Sequence, residues 1–159
     1  MNPDELVKIN KLVDSVTTGE RIVLFPPGLW SIIMTILLLI VSTVTLSGFL
    51  ISIYGVDLEA SSKAAFQFAG MLAVLLFVII PGLMIFRGKK KSRSVMKAYA
   101  WLLVAGNLFL LIVMTKWPAV LSVLVALLAV YLAGSRWFIG CSEFYFLLKQ
   151  KLNSLNSSN

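Results

Sequence analysis

Two long apolar blocks of this chain are joined by the basic stretch Arg87-Gly88-Lys89-Lys90-Lys91-Ser92-Arg93-Ser94-Val95-Met96-Lys97. This stretch, residues 87–97, contains six basic residues and no acidic one. Positive charge holds a short loop on the cytoplasmic side of a membrane when the segments on both sides of it can cross the bilayer. The stretch therefore predicts both the class of the protein and its orientation.

The composition supports a membrane protein. The chain has 159 residues, of which 59% are hydrophobic and 13% charged, and its mean hydropathy is +0.94. A soluble domain of this size would lack the polar residues needed to cover its surface. The apolar residues also come in uninterrupted blocks instead of an amphipathic pattern, which is typical of an integral membrane protein.

Four apolar blocks predict four spans, at about 30–53, 64–86, 98–115 and 117–137. A spanning helix needs about 20 residues, and backbone groups in hydrocarbon must be hydrogen-bonded within the segment. The connecting loops are short, so consecutive helices should pack as antiparallel neighbours. We expect an all-α membrane protein with an antiparallel bundle of four transmembrane helices. This domain, 29–139, should lie between an N-terminal segment, 1–28, and a cytoplasmic tail, 140–159.

The distribution of Lys and Arg predicts that both termini are cytoplasmic. This orientation places twelve basic residues inside, namely Lys8, Lys11, Arg21, Arg87, Lys89, Lys90, Lys91, Arg93, Lys97, Arg136, Lys149 and Lys151. Only Lys63 and Lys116 then remain outside. The positive-inside rule favours this arrangement.

The segments outside the spans predict short helices. Asn2 and Pro3 are typical of a helix start, as cap and first helical residue. One apolar face then follows, formed by Leu6, Ile9, Val13 and Val16. This amphipathic helix should end near Thr18-Gly19 and lie on the inner membrane surface, or else dock on a partner protein. A second short helix can follow Gly140.

Small residues recur in two of the predicted spans. In the fourth span they are Ala119, Ser122, Ala126, Ala129 and Ala133, and in the second they are Ala65, Ala69 and Ala73. Small side chains let helix backbones approach each other in lipid. Packing inside one bundle is the favoured interpretation, and a seam between copies of the chain is the alternative.

Polar residues within the spans form a second candidate group. Ser31, Thr35, Ser42 and Thr45 share a narrow arc of the first span, and Asn107 is the amide deep in the third. The arc could line a wet path, although hydroxyls more often bond the carbonyls of their own helix. Asn107 is expected to bond a neighbouring helix, with contact to a ligand as the alternative.

The basic stretch also predicts a surface for anionic lipid headgroups. Its six cations are Arg87, Lys89, Lys90, Lys91, Arg93 and Lys97. Basic residues next to a span attract anionic lipid, but they can also act as a topology signal alone. They flank apolar spans and belong to no separate soluble domain, so nucleic acid is not an expected partner.

Residues for catalysis or cofactor binding are scarce. The chain has no His and a single Cys141, so it offers no intrachain disulfide and no zinc or haem ligand set. No motif places a nucleophile beside a base, and no charged residue stands at membrane depth for coupled transport. We therefore predict no enzyme activity and no catalytic, cofactor-binding or metal site. Cys141 should be an accessible thiol at the inner interface, and Pro81-Gly82 should bend the second span.

The layout resembles small four-span bacterial inner-membrane proteins of the YbjO-like kind. The residues that carry the resemblance are Phe86-Arg87-Gly88-Lys89-Lys90-Lys91-Ser92-Arg93 and, at the end of the last span, Ser135-Arg136-Trp137-Phe138. They lie in the second half of the chain. The resemblance implies a bacterial inner membrane, and it supplies no functional residues because that group has no characterised function.

Three functional hypotheses follow. The first is a non-catalytic protein that acts through helix contacts, as an accessory or assembly subunit or as a self-associating scaffold. The second is an oligomeric pore or uncoupled permeation protein whose polar arc faces a central path. The third is an immunity or defence protein against a membrane-active toxin. The expected partners are a bilayer with anionic headgroups and a membrane protein or further copies of the chain.

Overall fold

A computed structural model describes residues 3–19, 26, 28–54, 59–114 and 117–157, and these residues are helical apart from short turns. The helices are α1 (Pro3–Thr17), α2 (Leu29–Tyr54), α3 (Ala60–Val74), α4 (Ile80–Phe86), α5 (Lys91–Met114), α6 (Trp117–Gly134) and α7 (Arg136–Ser157). A π-helical segment, Leu75–Ile79, joins α3 to α4. The proposed cap Asn2 lies outside the described residues, as do Arg21 and Lys116.

Four helical segments are long and apolar enough to cross a membrane. They are Leu29–Ile53, Ala60–Phe86, Lys91–Val113 and Trp117–Gly134. The predictions of an all-helical chain and of four candidate membrane spans are thus confirmed. The third candidate span begins at Lys91 and not near residue 98. The boundary expected from sequence was placed after Lys97, the last charged residue of the basic stretch. Lys and Arg side chains can remain in a helix and extend their charged ends toward water.

The bend predicted at Pro81-Gly82 falls directly after the π-helical segment. Pro81 has no N–H to donate, so a regular hydrogen bond is missing at this point. The N–H of Ile80 donates to the carbonyl of Leu75, five residues earlier. A π-helical turn is a known way to absorb such an irregularity.

Helices α2, α5 and α6 pack against one another and hold most of the apolar core. Ile32, Leu39, Leu103 and Ala126 are almost fully buried among them. Helix α3 packs chiefly against α2, whereas α4 packs against α5 and α7. The two halves of this second candidate span therefore have different surroundings.

Helix α7 lies across one end of these helices and contacts α2, α4 and α6. Phe138, Cys141 and Phe144 recur every three residues along its buried face, which is the spacing of one side of a helix. This face explains why the helix begins at Arg136 instead of after Gly140. Sequence analysis could place these residues on a helix, but it could not identify the surface that they cover.

Helix α1 packs along α7 of the same chain. Val13 is buried in this contact, and Asp14 forms an ion pair with Lys151. Sequence analysis offered the membrane surface or a partner protein as the docking site of α1. The structure pairs α1 with the C-terminal helix of the same chain, a contact that sequence analysis did not foresee. The location of α1 on the inner membrane surface stays a prediction.

Gly88 allows the turn between α4 and α5 to approach α7. Its φ is +73°, and an added Cβ would lie 2.9 Å from the carbonyl oxygen of Tyr145. Its N–H donates to the carbonyl of Ile85 over 2.9 Å. Both the backbone conformation and the close approach therefore require glycine at this position.

We predict that Gly88→Ala destabilises the protein more than Gly19→Ala does. Both residues have positive φ, but a Cβ at Gly19 would meet nothing within 4 Å. Each alanine should lower the free energy of unfolding by about 1–2 kcal/mol because of its left-handed backbone, and Gly88→Ala should add the clash with Tyr145. Unfolding by titration with sodium dodecyl sulfate, followed by tryptophan fluorescence, measures the difference. Equal losses would show that the turn does not depend on close approach to α7.

Candidate functional site

The amide of Asn107 is fully buried between α5 and α2. Its Nδ2 donates to Ser42 Oγ over 3.1 Å and to the carbonyl of Leu103 over 2.8 Å. Among the residues that the structure describes, Oδ1 of Asn107 has no hydrogen-bond partner. The pair therefore links two helices in their apolar interior, as expected of an interhelical amide, and it leaves one acceptor unused.

A second interhelical hydrogen bond joins Thr43 and Tyr99. Their hydroxyl oxygens are 2.8 Å apart, and the Tyr99 ring stacks on Phe77 with centroids 5.3 Å apart. Sequence analysis missed this contact, because Tyr99 was considered only as part of an apolar block. A phenol two residues after the basic stretch and a hydroxyl in the first predicted span were the available signals.

The polar arc of α2 faces other helices of the same chain. Thr35 and Ser42 are fully buried, whereas Ser31 and Thr45 are partly buried. Thr35 Oγ1 donates to the carbonyl of Ser31 over 2.7 Å, and Thr45 Oγ1 donates to the carbonyl of Val41 over 2.8 Å. Ser31 Oγ lies 3.0 Å from Ser135 Oγ. Each hydroxyl of the arc therefore already has a partner inside the protein.

The small residues of α6 are buried by neighbouring helices. Ala119, Ser122, Ala126, Ala129 and Ala133 are all at most 3% exposed, and α6 packs mainly against α2 and α5. Ser122 Oγ donates to the carbonyl of Ala119 over 2.9 Å. The small-residue face of α6 is therefore covered by helices of the same chain.

The small residues of α3 are less buried than those of α6. Ala65 and Ala69 are exposed, and Ala73 is partly buried. The bulky residues of the same helix, Phe68 and Met71, are 68% and 71% exposed. We refer to the surface formed by Ala65, Phe68, Ala69 and Met71 as the α3 face.

Two clefts flank α3. One, of about 570 Å³, lies between α2 and α3 and includes Ser47 and Gln67. The other, of about 540 Å³, separates α3 from α5 and includes Ala69 and Tyr99. Between the clefts α3 touches α2 at Gly70, where an added Cβ would lie 2.7 Å from Ser47 Oγ. Helix α3 is therefore held along one narrow line of contact.

The basic stretch is partly engaged with α7. Lys90 Nζ lies 2.7 Å from Glu143 Oε2 and 4.0 Å from the centre of the Phe146 ring. Arg93 is partly buried. The other cations of the predicted lipid-binding set are exposed, namely Arg87, Lys89, Lys91 and Lys97. Lys90 thus helps to attach the turn to α7, and the exposed cations are available to anions.

Cys141 is fully buried on α7. The expectation of an accessible thiol was wrong, because this side chain points into the contact between α7 and the other helices. Burial raises the pKa of the Cys141 thiol from its ordinary value of 9.0 to about 11. Burial also raises the pKa of Tyr145, and the nearby Cys141 raises it further.

The polar side chains described above form hydrogen bonds or ion pairs within the protein. Over the described ranges, no group of three His, Cys, Asp or Glu residues could hold a metal ion. Searches among protein-family models, curated proteins and solved structures find no match to this chain. The candidate sites are therefore defined by geometry, and the α3 face is one surface where small and bulky apolar residues stay uncovered by the described parts of the chain.

The Ser42–Asn107 hydrogen bond should be measurable in a double-mutant cycle of Ser42→Ala and Asn107→Leu. Interhelical hydrogen bonds in membrane proteins contribute about 0.6 kcal/mol, with an upper range near 1.7 kcal/mol. We expect a coupling of this size between the two substitutions. The measurement is the free energy of unfolding in mixed micelles.

Thr45→Val combined with Asn107→Leu is the matched control, because Thr45 bonds its own helix. These two substitutions should be additive. A zero coupling for Ser42 and Asn107 would show that their hydrogen bond adds nothing to folding.

Alkylation of Cys141 should be slow in the folded protein. At pH 8 a thiol with a pKa near 11 is almost entirely protonated, and the side chain is also covered. Iodoacetamide labelling, read by mass spectrometry, should be fast only after denaturation. Because the fold favours the protonated thiol, its contribution to stability should fall as the pH rises from about 9 to 11.

Lys149→Cys in a Cys141→Ala background is the control, since Lys149 is exposed on the same helix. It should label readily at pH 8. Equal labelling rates for the two cysteines in folded protein would contradict the burial of Cys141.

Proposed function

We propose that this is a non-catalytic protein of the bacterial inner membrane that acts through helix–helix contacts, as a self-associating scaffold. In this proposal the four candidate spans form an antiparallel bundle. The α3 face binds the same face of a second copy. The observation that carries the proposal is that α3 packs chiefly against one helix and leaves Ala65 and Ala69 exposed.

The proposed orientation places the α7 end of the protein in the cytoplasm. Six basic residues lie in the stretch that contacts α7, and α7 itself carries Arg136, Lys149 and Lys151. At the other end, Lys63 is the described cation. This asymmetry supports a cytoplasmic location for both termini.

The spacing of the small residues supports a second copy as the occupant of the α3 face. Ala65, Ala69 and Ala73 recur every four residues, so two such helices can approach closely along the same line. A symmetric dimer uses the same patch on both copies, and a regular repeat of small residues is self-complementary. Residues 64–86 contain no charged residue, so no charge repulsion would oppose the contact between two copies.

The bonded polar arc supports a structural role more than a pore. A wet path needs polar groups that face water, whereas Thr35 and Ser42 are fully buried. The Ser42–Asn107 hydrogen bond would have to break before Ser42 could line a channel, and Thr35 would have to leave its buried position. Helix association requires no such rearrangement.

Cysteine crosslinking in membranes tests the proposal. In a Cys141→Ala background, Ala65→Cys and Ala69→Cys should give disulfide-linked dimers under mild oxidation. Adding Phe68→Ala should reduce the yield, because the bulky neighbour would no longer pack against the second copy. The yield is measured on non-reducing gels.

Leu124→Cys and Leu128→Cys on α6 are matched controls. They are 55% and 49% exposed, and they belong to α6, which packs mainly against α2 and α5. Equal dimer yields at all four positions would indicate random collision and contradict the proposal. Adducts with a different protein in place of a dimer would contradict self-association.

A further inference from the structure

A groove of about 470 Å³ lies between α1 and the first turns of α7. Ile9, Leu12, Gly140 and Phe144 provide its apolar lining. Lys8 and Arg136 line it as well, together with one carboxylate, that of Glu5. The groove therefore combines an apolar interior with an excess of positive charge.

The groove lies where the fourth candidate span ends. Helix α6 stops at Gly134, and Arg136 and Trp137 follow immediately in the first turn of α7. Trp137 is 67% exposed, and exposed tryptophan beside the end of a span is typical of the headgroup region of a membrane. A molecule in this groove would thus reach both acyl chains and headgroups.

The first turn of α7 adds to the positive potential. The N–H groups at a helix start carry partial positive charge and favour anions. Ser135 Oγ accepts the N–H of Phe138 over 3.2 Å, and the backbone of Gly28 packs closely against the Trp137 carbonyl. These contacts fix the start of α7 next to Arg136.

We propose that the α1–α7 groove binds one anionic phospholipid of the adjoining leaflet. Its phosphate would lie between Lys8 and Arg136, and part of an acyl chain would lie along Ile9 and Phe144. Charge complementarity selects the occupant, since two cations exceed the single carboxylate. Bound lipid would join the N-terminal helix to α7, because both helices line the groove. The inference does not depend on self-association through α3.

Native mass spectrometry of the full chain, released from mild detergent, tests this proposal with added phosphatidylglycerol and phosphatidylcholine. Wild-type protein should retain one phosphatidylglycerol and little phosphatidylcholine. Lys8→Gln combined with Arg136→Gln should weaken phosphatidylglycerol binding about 30-fold, as expected for the loss of two charges near a membrane surface.

Lys89→Gln combined with Lys91→Gln is the matched charge control. These two exposed cations lie on the basic stretch and do not line the groove. The pair should leave this retained lipid in place. If it lowers binding as strongly as the groove pair does, the attraction is a general surface effect and the proposal fails.

Substitutions at Gly140 test occupancy of the groove itself. An added Cβ would lie 3.8 Å from Ile9 Cδ1, an ordinary contact, so Gly140→Ala should retain lipid. Gly140→Leu should fill the groove and remove it. Retention of lipid by Gly140→Leu would overturn the proposal, as would equal retention of phosphatidylcholine by wild-type protein.

A fluorescence measurement avoids dependence on variants within the groove. With Trp30, Trp101 and Trp117 replaced by Phe, the remaining Trp137 reports on its surroundings. Brominated phosphatidylglycerol should quench it more strongly than brominated phosphatidylcholine, and the difference should shrink as salt is raised. Identical quenching by both lipids at low salt would contradict selective binding.

Discussion

The absence of water in hydrocarbon is the constraint on which this structure depends. A polar side chain inside the apolar layer has to be bonded by the protein or remain unsatisfied at a cost in free energy. Ser42 meets this requirement with Asn107, and Thr43 meets it with Tyr99. Both pairs join α2 to α5. The same constraint that forces the helices to form thus also selects which helices become neighbours.

Helix α7 joins the other helices at one end of the molecule, mainly through apolar packing. Its buried face is apolar, and it covers the ends of α2, α4 and α6. Lys90 reaches it from the basic stretch, and Asp14 reaches it from α1. These ion pairs are partly exposed, so each contributes little to stability on its own. The apolar face of α7 holds the arrangement, and the charged pairs add contacts from the basic stretch and from α1.

The class of the fold could be predicted from sequence, because a long apolar block permits few structures in a bilayer. The four candidate spans and the short N-terminal helix followed from such blocks and from one amphipathic repeat. The docking of α1 on α7 did not follow, since an apolar stripe specifies an apolar partner without identifying it. The burial of Cys141 was missed for the same reason. In the chain, Cys141 comes shortly after the last candidate span. Its accessibility depends on which face of α7 packs against the other helices.

The small residues show most clearly what a local pattern leaves open. Helices α3 and α6 carry similar repeats, and both repeats allow close approach of another helix. In α6 the repeat is covered by α2 and α5, so its capacity for contact is used within the chain. In α3 the repeat is largely uncovered, because α3 packs chiefly against α2 and a cleft separates it from α5. The π-helical segment thus lies between α4, which packs against α5 and α7, and α3, which leaves one face uncovered. A local repeat alone does not tell which of these two surroundings it will have.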